Sequence, residues 1–483
     1  MQPDSPFLEK SYDAVVIGSG PNGLAAAITL ARQNCRVLVL EAQPTFGGGA
    51  RSSPLTLPGF THDVCSAIHP MGVASSFFRS VPLADHGLAW VHPLSPLAHP
   101  LDDCTAAVLE RSIEETGQTL GGDAAAYRRL MAPMADSADA LVGDTLGPLR
   151  IPRHPLLLAR FGLRAVRSAQ GLAKGWFRGP HAQALIAGLA SHSILPLEQM
   201  LSAAIAVMLG TAGHAFGWPL ARGGSQAITD ALISYLRSLG GELHTNCRID
   251  SLAQLPPARA YLFDVSPKNL AQICGDALPP GFRKQLERFR HGPGSFKLDW
   301  ALSRPIPWRA ASCLRAATVH LGGTFDEIAA GERQVWRGEH PKQPYVLVAQ
   351  SSLFDPTRAP PGQHTGWAYC HVPAGSTVDM TDAIENQMER FAPGFRDCIL
   401  ARSAIAPADF TRHNANYIGG DISGGVLDVW QLFTRPTFRL VPYSTPNPKI
   451  FLCSASTPPG GGVHGMCGYF AAQAALRRVL ARA

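Results

Sequence analysis

The residues best placed to do chemistry lie near the start of the chain. Gly18-Ser19-Gly20-Pro21-Asn22-Gly23 carries glycines at the first, third and sixth positions, and Glu41 stands 18 residues past the last of them. Gly18 permits a tight turn, and Gly20 lets a pyrophosphate approach the backbone. Gly23 lets a helix lie close to a sheet. Unpaired N–H groups of that helix would face the phosphates, with Ser19, Pro21 and Asn22 lining the turn. A carboxylate at Glu41 accepts ribose hydroxyls and repels a 2′-phosphate, which disfavours NADP. These residues need a specific frame. Tyr12-Asp13-Ala14-Val15-Val16-Ile17 reads as a buried parallel strand, Leu24 to Arg32 as a helix, and Cys35 to Leu40 as a second strand ending on the acid. Strand, turn, helix, strand and acid agree, which a lone glycine motif would not establish.

Further glycines follow the acid. Ala42 leads to Gly47-Gly48-Gly49, and then to Arg51 and Ser52. A nicotinamide site has no need of this cluster. Beside a flavin dinucleotide the chain turns back along the diphosphate, and residues without side chains let it pass close. Far downstream, Lys449 to Cys453 reads as a strand and Ser454 to Gly468 as a turn of small residues. Tyr469 to Leu480 reads as a helix. Two histidines have the chemistry of a base or of a group that tunes a cofactor: His69, after Pro58-Gly59-Phe60, and His464, inside the last turn. Hydrogen-bonded loop histidines would give the same pattern, and sequence singles out no catalytic residue.

Taken in order, these motifs resemble the phytoene-desaturase-like branch of the amine-oxidase superfamily of FAD-dependent oxidoreductases. The resemblance rests on the first glycine turn, the acid, the Gly47-Gly48 pair and the final strand, proline and glycines. It also rests on Gly240-Gly241, followed by Ile249. The amine-oxidase branch usually has Arg directly after the glycine pair. Here Gly49 stands there and Arg51 comes two places later, which favours the desaturase side.

The resemblance implies an α/β fold: a discontinuous Rossmann-type FAD-binding domain with an inserted mixed α+β substrate domain. The implied division gives residues 1–80, 215–275 and 441–483 to the FAD-binding domain and 81–214 and 276–440 to the substrate domain. It implies FAD as cofactor, held by Gly18, Ser19, Gly20, Pro21, Asn22, Gly23, Glu41, Ala42, Gly48, Gly49, Arg51, Ser52, Ile249, Gly462, Val463 and Met466. Ile249 would meet the adenine through its backbone, and the last helix would point its N-terminus at the flavin. The implied activity is dehydrogenation of a C–C or C–N bond of an apolar small molecule by hydride transfer to flavin N5. A redox-neutral isomerase and a non-catalytic FAD-binding scaffold are the alternatives on the same frame.

Composition sets the bounds. The 483 residues are 46% hydrophobic and only 16% charged, which suits a large core and an apolar pocket. A net charge of +6 without a long basic run argues against nucleic acid as a partner. The ten cysteines form no CxxC pair, so neither a redox disulfide nor a metal site is expected. The N-terminus has neither a basic nor an apolar leader segment, and the expected location is cytoplasmic. Two stretches bear on membranes. Gln199 to Ala221 lacks Asp, Glu, Lys and Arg, but its glycines and Pro219 make it a buried helix to about Leu209 followed by a loop, read as a pocket wall in preference to an interfacial contact. Pro155 to Lys174 reads as a basic amphipathic helix, either a solvated face or a peripheral contact with a membrane surface. The oligomeric state is not legible in the sequence.

Overall fold

The computed structural model describes residues 9–481. Two sheets organise the chain. The first has five parallel strands in the order Ile450–Leu452, Ala258–Phe263, Tyr12–Ile17, Val37–Leu40, Glu242–His244. Its strands come from widely separated stretches of chain. The central strand, Tyr12–Ile17, is covered on both faces, which is why it reads as a continuous apolar run rather than an alternating one. Helices Pro21–Ala31, Gln226–Ser238 and Met466–Ala475 cover one face, and helices Pro267–Cys274 and Pro280–Glu287 the other.

The first helix begins at Pro21, earlier than expected. Proline suits a first helical position because its missing N–H would have no partner there. The second strand starts at Val37, because Arg36 is exposed and its N–H is taken by the Asp13 carboxylate. The last helix starts at Met466, so more of the final turn is helical than the glycines suggested. It crosses the first helix at very short range. A methyl group at Gly468 would lie 1.7 Å from the Asn22 carbonyl oxygen.

The second sheet is mixed and has seven strands, in the order Ile399–Ile405, Gly294–Leu302, His364–Val372, Val346–Ala349, Ala316–Leu321, Ser95–Pro100, Ala106–Leu109. Its neighbours are antiparallel except Ala316–Leu321 with Ser95–Pro100. Helices including Ala124–Ala135, Pro180–Ser191 and Ser202–Ala215 pack on one face around a core of Leu, Ala, Met and Phe. Each fully buried Leu or Phe there stabilises the fold by about 1.5–3 kcal/mol.

Two expectations are corrected in this half. Ser202–Ala215 is one helix and does not end near Leu209. Gly210 and Gly213 do not break it; they let it pack closely, since added methyl groups would lie 2.7 Å from Met131 Cε and 2.6 Å from Leu109 Cδ2. Among the described residues, no helix is long and apolar enough to cross a membrane. Pro155 to Lys174 is not one helix but two, Pro155–Ala165 and Ala169–Trp176, with Ser168 capping the second through the Gly171 N–H. Asp123 precedes its helix but does not cap it. Its carboxylate instead accepts the N–H groups of Arg178 and Gly179.

Candidate active site

One cavity of about 830 Å³ runs from the glycine turn to the helices beneath the second sheet. At one end it is lined by Gly18, Ser19, Gly20, Pro21, Asn22, Glu41, Ala42 and Ile249. Gly48, Gly49, Arg51, His69, Gly462, Val463 and His464 line its middle. The structure therefore brings most of the predicted residues to one space. It does not bring Gly23, Ser52 or Met466 into the lining. Gly23 lies behind the turn and donates its N–H to Asp264 Oδ2 at 3.0 Å. The Ser52 hydroxyl donates to Asp63 Oδ1 at 2.7 Å and accepts the Gln226 N–H. The Met466 N–H donates to His464 Nδ1 at 3.0 Å.

The glycine turn is crowded from below. A methyl group on Gly20 would lie 2.6 Å from Asp264 Oδ2, and one on Gly23 would lie 2.1 Å from the Gly18 carbonyl oxygen. Gly18 has φ +100°, a conformation that L side chains rarely adopt. Glu41 is buried and fixed by three donors. Ser19 N–H and Oγ–H reach Oε2 at 3.0 and 2.6 Å, and the Gln43 N–H reaches Oε1 at 2.9 Å. A carboxylate has about four lone-pair sites, so about one remains for a ligand hydroxyl. Burial pushes the Asp264 carboxyl up to about 7; the Gly23 N–H opposes that rise and the nearby Glu41 charge adds to it.

Arg51 braces the second glycine cluster. Its Nε donates to the Gly48 carbonyl at 2.9 Å, and Nη2 donates to the His413 carbonyl. Gly49 is tightly placed, since a methyl group there would lie 2.3 Å from the Tyr417 hydroxyl and the tyrosine would have to move. Behind this wall, Asp63 holds three segments together. It accepts from Ser52, from the Ser225 N–H at 2.7 Å and from Arg358 Nη2 at 2.7 Å. Burial alone would raise its pKa, but Arg358 and the N–H donor outweigh it and hold the carboxyl below its usual range.

The two predicted histidines are buried in the cavity wall. His69 Nε2 lies 2.9 Å from Ser225 Oγ, and burial lowers its pKa to about 4. His464 is likewise lowered to about 4 by burial. It uses Nδ1 to accept the Met466 N–H at the start of the last helix, and Nε2 has no partner.

The far wall of the cavity was expected only in the stretch Gln199 to Ala221, and its other residues were missed. Leu158, Phe161, Ala204, Ile205 and Met208 make it apolar, and Trp367, Tyr369, Trp218 and His192 close it. Trp367 and Tyr369 were within reach, because alternate residues of a strand share a face. His192 and Trp218 carry no motif.

The polar N–H turn, the ribose-side carboxylate and the flanking glycines fit a dinucleotide. Asn22, which lines the same end, has a buried Oδ1 without a partner. The apolar chamber beyond it suits a greasy substrate.

Comparison with known proteins agrees with this geometry. A family model described as an NAD(P)-binding Rossmann-like domain matches residues 16–81. The chain is 25% identical to pyridine nucleotide-disulfide oxidoreductase domain-containing protein 2 of Mus musculus, covering 97% of this chain and 94% of that one. It is 24% identical to the lycopene-forming phytoene desaturase of Pseudescherichia vulneris, covering 96% and 98%. In fold it is similar to an oxidoreductase from Methanosarcina mazei, with TM-score 0.65, 14% identity and coverage of 97% and 100%. Motif order, architecture and full-length relatives together make the chain an oxidoreductase similar to the phytoene-desaturase-like enzymes.

Proposed function

We propose that the chain binds FAD and dehydrogenates a C–C or C–N bond of an apolar small molecule. The observation that carries this reading is the single cavity that joins the glycine turn and Glu41 to an apolar chamber. Ser19 to Asn22 would hold the diphosphate, Glu41 the ribose, and Ile249 the adenine. Gly48, Gly49, Arg51, Gly462 and Val463 would flank the flavin. When bound, FAD supplies the hydride acceptor at N5. The protein's role is to orient the substrate between Trp367, Tyr369 and the Met208 wall and to exclude water. In this reading, residues 1–80, 215–275 and 441–483 form the FAD-binding unit and 81–214 and 276–440 the substrate unit.

The cavity mouth supports peripheral contact with a membrane surface. Leu149, Leu158 and Leu432 line the cavity, and strongly exposed apolar side chains surround their segments: Leu156 at 86%, Leu163 at 75%, Trp430 at 77% and Phe438 at 84%. Exposed Arg153, Arg160 and Arg167 flank the first two. Apolar and basic groups together at a pocket entrance suit a bilayer with anionic headgroups as the source of a lipophilic substrate.

The test is an absorbance spectrum of the purified protein, followed by anaerobic titration with a panel of polyenes and lipophilic amines. Flavin absorbance that one of them bleaches is the expected result. A colourless protein that cannot be reconstituted with FAD overturns the cofactor assignment. A bound flavin that stays oxidised throughout overturns the dehydrogenase assignment.

A further inference from the structure

Five tyrosines are buried: Tyr12, Tyr127, Tyr345, Tyr369 and Tyr443. Four of them use their hydroxyls. Tyr12 donates to Glu242, Tyr345 to the Gly188 carbonyl and Tyr443 to the Pro458 carbonyl, and Tyr127 pairs with His214 at 2.8 Å. Tyr369 lines the cavity, and its hydroxyl has no hydrogen-bond partner among the described residues. A buried tyrosine usually finds a partner for its O–H, and an unpaired one costs the desolvation of that group.

The residues around Tyr369 are engaged elsewhere. It stands on the strand His364–Val372, opposite Leu347 on one side and Lys297 on the other. Leu347 is apolar. The Lys297 ammonium is held by Asp299 and lies over the Trp367 ring, 5.7 Å from its centroid. His371, two residues along on the same face, has Nδ1 against Glu332 at 2.8 Å. The ring itself is fixed. Trp367 packs edge-on against it, with centroids 5.4 Å apart and planes at 85°, and Trp367 is in turn held by its Nε1–H on the Asp63 carbonyl at 3.0 Å. Tyr369 therefore brings one positioned polar group to a chamber walled by Leu347, Phe161, Ile205 and Met208.

Charge narrows what that group can meet. Among the described residues, the acids that line the cavity are Glu41, Asp144, Asp250 and Asp264. Glu41 and Asp264 border the glycine turn, and Asp250 follows Ile249. The Asp144 carboxylate accepts the N–H groups of Arg153 and His154 at 3.1 and 2.9 Å. Glu332, nearer to Tyr369, is buried and taken by His371. An ammonium group in the chamber would thus find no free carboxylate, and a hydrocarbon would leave the hydroxyl unpaired. Burial pushes the phenol well above its usual range, so it stays protonated and donates. The group that fits is an uncharged oxygen: a hydroxyl, an ether or a carbonyl.

We propose that the substrate is an apolar chain bearing an uncharged oxygen, and that Tyr369 is the specificity-determining residue that donates a hydrogen bond to it. This rests on the dehydrogenase reading and, within it, selects oxygenated lipids over hydrocarbons and amines.

The test is binding rather than turnover. The probes are retinol, the hydrocarbon with the same polyene chain and the primary amine with the same chain. All three absorb where tryptophan emits, so each quenches the protein's fluorescence when it binds. On the FAD-loaded wild type, retinol should bind about ten- to a hundredfold more tightly than the hydrocarbon, the span expected when a buried donor is left unpaired, and more tightly than the amine. Tyr369→Phe removes only the hydroxyl. It should erase the preference by weakening retinol binding, with hydrocarbon binding and the ligand-free flavin spectrum unchanged. The same retinol-to-hydrocarbon ratio in wild type and variant, tightest binding of the amine, or no quenching by any of the three overturns the proposal. A changed flavin spectrum in the ligand-free variant also overturns it, by assigning the hydroxyl to the cofactor. These outcomes leave the dehydrogenase reading to the bleaching experiment. If the preference is present and lost in Tyr369→Phe, yet no compound bleaches the wild-type flavin, that reading fails and the role of Tyr369 in binding stands.

Discussion

Replacing Glu41 with alanine should weaken FAD binding by an amount set by its hydrogen bonds. The carboxylate already accepts two bonds from Ser19 and one from Gln43. With about four acceptor sites on a carboxylate, it has about one left for a ribose hydroxyl. A hydrogen bond to a charged group contributes about 1.5–3 kcal/mol. At about 1.4 kcal/mol per decade, the dissociation constant should rise about ten- to a hundredfold. A loss of several thousandfold would mean that the carboxylate holds both hydroxyls and that Ser19 releases it on binding. The assay is fluorescence titration of deflavinated protein with FAD at fixed salt, with near-UV circular dichroism as the control for folding. A folded Glu41→Ala protein with unchanged affinity would refute the ribose assignment.

Three further predictions rest on the geometry. Asp264 has a folded pKa of about 7, raised by burial, so from about pH 4 to 7 the unfolded chain sheds this proton before the folded one does. Its contribution to stability should therefore fall as pH rises through that window, and a neutral Asp264 should favour the diphosphate at the lower end. Asp264→Asn should remove the Asp264 contribution to both trends, and urea melts and FAD titrations between pH 5 and 8 that match the wild type would exclude this group as their source. Gly468→Ala sets a methyl group against the Asn22 carbonyl and must push the first and last helices apart, with an expected loss of about 1–3 kcal/mol or more and reduced flavin content. An unchanged urea midpoint would contradict that crossing. Leu156→Asp with Leu163→Asp should abolish flotation with anionic vesicles while leaving the bound-flavin spectrum intact. Flotation equal to that of the wild type would remove this helix from the membrane contact.

The glycine-turn end of the cavity was legible because its chemistry is local. Turn, helix start and acid lie within one short stretch, and each demands a residue type that shows in the sequence. The far wall was legible only in part. His192, Trp218 and Tyr369 meet only because a helix end, a loop and a strand converge, and no spacing in the chain records that. Gly210 and Gly213 misled for a related reason. A glycine reads as a breaker in isolation, and only its neighbours Met131 and Leu109 show that it serves close packing. Ser52 and Met466 sit in the right motifs but face away from the cavity, because a motif fixes backbone order more firmly than side-chain direction.

The order of the first sheet also bears on synthesis. Its edge strand Ile450–Leu452 and the helix Met466–Ala475 that crosses the first helix leave the ribosome long after the glycine turn. A nascent chain stalled before Ile450 would hold the turn and Glu41 yet lack the wall formed by Gly462 to His464. Flavin capture should thus wait until the segment Gly462 to His464 has been synthesised.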